Sequence, residues 1–374
     1  MNMSKKIIYT IIAVFIGILI SFIYYHQKEI TLISNIPEVE GSVVVLDPIV
    51  LQVNKMSLDE KIGQLLIVGF VDKYLDSHIE NMIKNYHIGG VNLLGRNVQD
   101  AGQVKKLISD MQNISTVPLF IGTDQEGGTV IRFKFLKELA SQLKITSSTE
   151  AEKIAFNRGK ELRGLGVNMN FSPVVDYVSD IDSYLYKRTF GVNEVMTGEL
   201  ANAMIDGYKR GGVVAVAKHF PGYGNVVLDP HRNESLLLIK SQELEKNLIP
   251  FKKVIDNKST GAIMTAHIVI PEIDSKPATL SFKFLTEILR QKLGFNGVVI
   301  TDDIEMVSVE KSVEETAVKA ILAGNDMIID TYTSKNATLI FNRLKKAILD
   351  SEISEERIDQ SVVRILKLKS SLVQ

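Results

Sequence analysis
The chain has 374 residues, 45% of them hydrophobic, and a formal net charge of −1. That balance excludes a disordered or fibrous protein and gives no electrostatic case for nucleic-acid binding. Cysteine is absent, which excludes a disulfide scaffold, a thiol nucleophile, a cysteine-ligated metal and a lipid-modified N-terminal cysteine.

The first element is an uncharged, mostly apolar run from Ile7 to Tyr25. A helix needs about 20 such residues to cross a bilayer, so the run is long enough. Lys5 and Lys6 precede it, and Tyr24 and Tyr25 close it. This pattern predicts a transmembrane signal anchor over residues 1–25, with an inside N-terminus. The body then works on the outer side of the cytoplasmic membrane, periplasmic or extracellular. A cleaved signal peptide, giving a secreted form, is the rival. Its apolar region is usually about 7–15 residues and ends near small residues. Here the end reads Ile23-Tyr-Tyr-His-Gln-Lys28. Residues 26–50 read as a linker and 51–374 as one domain.

Along the body, apolar runs alternate with helix-period stretches, as in a parallel sheet with crossover helices. Candidate strands begin at Ile62, Gly89, Pro118, Val167, Val213, Gly261, Gly297 and Asp326. Amphipathic candidates include Ser281–Leu293 and Ser312–Ala323. Eight such units predict an α/β protein with a single (β/α)8 barrel, a TIM barrel. A doubly wound open sheet is the alternative. No G-x-G-x-x-G follows the first strand and no Walker-type loop occurs, so nucleotide binding has little support.

Barrel active sites lie at the C-terminal ends of the strands. Strand three ends in Asp124-Gln-Glu126, strand four in Asp176 and strand five in Lys218-His219. Strand six ends in Thr265-Ala-His267, strand seven in Asp302-Asp303 and strand eight in Asp330. Any one of these could cap a helix, but together they converge on one rim. Asp302 follows the apolar run Val298–Ile300, where a carboxylate could attack an anomeric carbon. Side chains alternate along a strand, so Asp302 is expected to face the axis and Asp303 to cap the next helix. In the loop after strand five, Asp229 lies two residues from His231, and an Asp can orient such an imidazole for acid/base work. An Asx-type turn with an exposed His reads the same spacing equally well. His219, Asp229, His231, His267 and Asp302 are also metal-ligand types, but no H-x-H or H-E-x-x-H occurs. No metal or cofactor is assigned.

The segments Lys218-His-Phe-Pro-Gly222 with Asp229-x-His231, Asp124-Gln-Glu-Gly-Gly128 and Thr301-Asp-Asp-Ile-Glu-Met306 resemble glycoside hydrolase family 3. They are most similar to its exo-β-N-acetylglucosaminidase branch. Phe171-Ser-Pro-Val-Val-Asp176, Lys187-Arg-Thr-Phe-Gly191 and Met264-Thr-Ala-His267 follow in the family's order. The resemblance implies a retaining enzyme acting on terminal β-linked N-acetylglucosamine, from peptidoglycan or muropeptides. In that scheme Asp302 is the nucleophile, His231 the acid/base and Asp229 its support. Asp124, Arg132, Arg188, Lys218 and His219 would hold sugar hydroxyls, and Met264 or His267 would line the pocket. The implied partners are the carbohydrate and, through the N-terminal helix, the membrane. The sequence departs from the branch at Tyr223, Pro230 and Thr129, where it usually carries His, Ser and Arg. A glycoside phosphorylase, another β-glycosidase of the family and a catalytically impaired sugar-binding barrel are the alternatives.

Overall fold
The computed structural model describes residues 47–226, 235–306, 312–331 and 334–372. Pro48–Gln374 form one compact unit. The helix Pro48–Val53 packs against the helix Glu355–Ser370, so the last residues of the expected linker already belong to the body. Among the described residues no helix is long and apolar enough to cross a membrane. The run 7–25 lies outside them.

In chain order the strands are β1 (Leu66–Val68), β2 (Gly90–Leu93), β3 (Phe120–Thr123), β4 (Met169–Asn170) and β5 (Val214–Phe220). Then follow β6 (Ser235–Leu236), β7 (Ala262–Thr265), β8 (Ile268–Val269), β9 (Val298–Asp303) and β10 (Met327–Asp330). Eight of them close a barrel in the order β1-β10-β9-β7-β5-β4-β3-β2, and every ladder is parallel. The expected (β/α)8 barrel is therefore present, and the open sheet is excluded. β6 and β8 pair separately. They add a small ribbon that the eight-run reading did not contain.

The physics of the strands is that of a sheet covered on both faces. Such strands read as continuous apolar runs because both side-chain rows are buried. Ile67, Val91, Phe120, Ile263, Val299 and Ile328 are all shielded from solvent. The run from Val167 to Asp176 yields only the two-residue β4. Pro173 explains the early end, because it has no N–H to offer a ladder. The helix expected at Ser312–Ala323 is Val313–Ala323, with Ser312 at its N-cap. The stretch expected at Ser281–Leu293 forms a π-type helix over Lys283–Lys292.

Candidate active site
The site is built at the C-terminal rim of the barrel, around a cavity of about 570 Å³. Asp124, Arg132, Arg188, Lys218, His219, Met264 and Asp302 line it, as the sequence led us to expect. Glu126, Tyr184, Tyr223, Asp303 and Glu305 line it too.

Two irregular ladders decide which side chains reach the cavity. On β5, Ala217 pairs with Ile263 but Phe220 pairs with Thr265, so β5 carries one extra residue there. Such a bulge breaks the alternation of side chains. Lys218 and His219 are neighbours, yet both face the cavity. The peptide between them is cis. On β9, Ile300 pairs with Met327 and Asp303 with Ile329, again with one extra residue on β9. Strict alternation fails at this point as well. Asp302 and Asp303 both line the cavity, which corrects the expectation that only one could.

Asp303 also does not cap the next helix. Its Oδ1 accepts the Glu305 N–H at 3.1 Å, and its Oδ2 accepts the Thr331 hydroxyl. It closes a turn at the strand end. Asp302 Oδ1 accepts the Asp303 N–H at 2.8 Å, which fixes the carboxylate against its own backbone.

In the same cavity as Asp302 lies a buried ionic cluster. Lys218 Nζ is 2.7 Å from Asp124 Oδ1 and 2.7 Å from Glu126 Oε1. Arg188 donates Nε and Nη2 to the two Glu126 oxygens at 2.9 and 2.7 Å, a bidentate fork. Arg132 Nη2 reaches Asp124 Oδ2 at 3.5 Å. Burial alone would raise both carboxyls. Lys218 and Arg132 outweigh it at Asp124, and Arg188 and Lys218 outweigh it at Glu126, so both sit below the usual carboxylate range. Burial likewise opposes the Lys218 charge, but Asp124 and Glu126 hold its pKa above the ordinary value. Asp124, Glu126, Lys218 and Arg188 therefore stay charged around neutrality. They present fixed donors and acceptors of the kind that bind sugar hydroxyls with direction.

The loop after β3 is shaped to permit this. Gly127 and Gly128 have φ of 86° and 62°. A Cβ on Gly127 would meet the Ala140 carbonyl oxygen at 2.1 Å, so no other residue fits. The buried Arg158 donates to the carbonyls of Glu126 and Ala140, at 2.7 Å each, and pins the loop from behind.

His219 is held by Asp176, whose Oδ2 lies 2.8 Å from ring Nδ1. Arg188 Nη2 approaches Nε2 at 3.4 Å. An arginine can only donate, so Nε2 accepts and Nδ1 carries the proton toward Asp176. Tyr223 packs edge-on to His219, with ring centroids 5.3 Å apart. Its N–H goes to Asp176 Oδ1 at 2.7 Å, and its hydroxyl accepts the His267 N–H at 3.1 Å. Burial, helped by the Asp302 charge, pushes the Tyr223 phenol well above its usual range.

His267 does not line the cavity. It is fully buried, with Nε2 2.8 Å from the Asp303 carbonyl and Nδ1 2.9 Å from the Thr279 hydroxyl. It braces the cavity wall through the Asp303 backbone and does not reach the cavity itself. Asp229, Pro230 and His231 lie outside the described residues. Sequence reasoning placed Glu126 and Asp176 on the rim but gave them no role. Their signal was available, because both are acids at the ends of apolar runs. Their partners, Arg188 and His219, are distant in sequence.

Comparison with known proteins identifies the family. The model of the glycosyl hydrolase family 3 N-terminal domain matches residues 57–368. The β-hexosaminidase A of Pseudoalteromonas piscicida is 30% identical over 80% of this chain and 56% of its own length. The β-hexosaminidase of Nitrosomonas eutropha is 34% identical over 65% of this chain and 73% of its own. A solved family 3 β-N-acetylglucosaminidase from Paenibacillus sp. str. FPU-7 superposes with a TM-score of 0.82 at 33% identity, covering 85% of this chain and 63% of that one. A β-N-acetylhexosaminidase from Beutenbergia cavernae gives 0.79 at 26% identity, covering 84% of this chain and 99% of that one. The chain thus spans little more than half of some relatives and nearly the whole of others. With a family match across almost the entire barrel, the chain belongs to glycosyl hydrolase family 3.

Proposed function
We propose that the protein is a retaining exo-β-N-acetylglucosaminidase that hydrolyses terminal β-linked N-acetylglucosamine. One observation carries the reading. Asp302 shares a single cavity with the Asp124–Glu126–Lys218–Arg188 cluster, so a nucleophile faces a rigid hydroxyl-binding wall. The names of the relatives above support the choice of sugar.

In the first step Asp302 forms a bond to the anomeric carbon as the glycosidic C–O bond breaks. The leaving oxygen takes a proton from His231, which Asp229 supports. In the second step His231 takes a proton from water, the water oxygen bonds to the anomeric carbon, and Asp302 is released. The ionic cluster and His219 hold the sugar in place through both steps. Binding energy at these non-reacting groups positions the reacting centre.

The test is an aryl β-glycoside panel with and without phosphate, using wild type and Asp302→Ala. Release from the aryl β-N-acetylglucosaminide should fall by at least about a thousandfold in the variant, the scale of losing a group needed in the transition state. Normal turnover by Asp302→Ala would sink the assignment. A rate that requires phosphate would instead identify a phosphorylase.

We further propose that residues 7–25 anchor the chain in the cytoplasmic membrane, with residues from 26 to the helix Pro48–Val53 as connector. The catalytic body then meets peptidoglycan-derived β-linked N-acetylglucosamine outside the membrane. The uncharged run behind Lys5 and Lys6 supports this reading. Protease added to intact spheroplasts should digest the body. Protection of the body until the membrane is lysed would reverse the orientation.

A further inference from the structure
We propose that Asp303, Glu305 and Asp330 form a binding site for a divalent cation of the calcium type, set in the barrel wall beside the nucleophile. The proposal does not depend on which sugar the cavity takes.

The three residues come from the ends of two adjacent strands. Asp303 closes β9, Glu305 lies in the turn after it, and Asp330 closes β10. One carboxylate oxygen from each lies within 4.8 Å of the others. Acidic clusters alone are common, but Asp330 is unusual. It is only 3% exposed, and among the described residues neither of its oxygens accepts a hydrogen bond. A buried carboxylate without partners costs several kcal/mol unless something neutralises it. Asp303 and Glu305 bring two further carboxylates against it, and a bound cation would offset all three.

The other two ligands are already braced. Asp303 is held by the Thr331 hydroxyl and the Glu305 N–H, and Glu305 by the Asn336 amide. Those bonds leave acceptor capacity on each carboxylate. An all-oxygen donor set selects hard cations over zinc or copper. Three converging protein carboxylates suit calcium, which accepts many protein oxygens in flexible geometry, better than magnesium, which keeps several waters and usually takes only one or two carboxylates.

The position gives the cation a task. The Asp303 N–H holds Asp302 Oδ1 at 2.8 Å. A cation gripping the Asp303 side chain locks that turn and so orients the nucleophile.

The experiment uses the full chain, stripped with a chelator and titrated with CaCl2 or MgCl2 under thermal unfolding and calorimetry. Calcium should raise Tm by several degrees, saturably and with one-site stoichiometry, and magnesium should raise it less. Asp330→Asn should lose the shift while its cation-free Tm equals or exceeds that of the stripped wild type. If Asp330→Asn does not fold, Glu305→Gln serves, and it too should lose the shift. No shift in wild type at about 10 mM calcium, well above the ~0.1–1 mM of weak natural sites, overturns the proposal. An undiminished shift in the variant that folds overturns it as well.

Discussion

Asp176 holds His219 at two points: its Oδ2 accepts the His219 backbone N–H at 3.0 Å and faces ring Nδ1 at 2.8 Å. Its other oxygen takes the Tyr223 N–H at 2.7 Å. One buried carboxylate therefore fixes the tautomer of a cavity histidine and the path of the loop that follows it. Asp176→Asn keeps the shape but replaces an acceptor by an amide donor, so at least one of these donors is stranded. Hydrogen bonds to charged groups contribute about 1.5–3 kcal/mol each. The variant should lose roughly 2–4 kcal/mol of stability in urea titrations. In the proposed mechanism His219 binds and does not react, so the variant should also lose kcat/KM mainly through KM. A fall confined to kcat would contradict the binding role.

Glu126→Gln tests the ionic cluster. The change leaves Lys218 and Arg188 buried with one counter-charge fewer, and breaking a buried pair costs about 3–5 kcal/mol. The wild-type carboxyl sits below its unfolded value, so its contribution is fully present above about pH 4.5 and is lost as pH falls through its folded value. The stability gap between wild type and variant should therefore be widest near neutrality and shrink in acid. A gap that stays constant down to about pH 2 would mean that Glu126 contributes packing and no charge.

Tyr223 stands where the related branch usually carries histidine. Its hydroxyl is the acceptor for the His267 N–H, which is buried behind the wall. Tyr223→Phe strands that donor and should cost about 1–3 kcal/mol. Because the Tyr223 ring also packs on His219, the variant should weaken substrate binding only modestly. A large drop in kcat with an unchanged Tm would give the hydroxyl a part in the chemistry.

The barrel was legible because its strands are buried on both faces and so read as plain apolar runs. The rim was legible because acids, lysine and histidines end those runs. Two things were not. The extra residues on β5 and β9 are features of pairing register, which no single strand's sequence encodes. They turned Lys218 with His219, and Asp302 with Asp303, into pairs that share a cavity. The second is the identity of partners. Arg188 belongs to Glu126, and His219 to Asp176, only once the barrel closes. His267 illustrates the same limit, since its strand end looked like pocket wall until Thr279 and the Asp303 carbonyl claimed its ring.

Lys369 offers a clean titration on the far side of the barrel. It lies on the helix Glu355–Ser370, is 6% exposed, and donates to Gln64 Oε1 at 2.7 Å above the Phe120 ring. Burial pushes its pKa down from 10.5 to about 7. Between those two values the unfolded chain binds the proton more tightly than the folded one, so unfolding takes up a proton and stability rises with pH. Below about pH 7 both states are charged and the full desolvation cost is felt. Lys369→Met removes the titration while keeping an apolar stem of similar length. The variant should be more stable than wild type at about pH 6.5, and the difference should shrink as pH is raised toward about 9.5. Urea titrations at those two values decide the matter. If wild type is the more stable at the lower pH, then the Gln64 hydrogen bond and the Phe120 face outweigh desolvation, and Lys369 is a charged clamp.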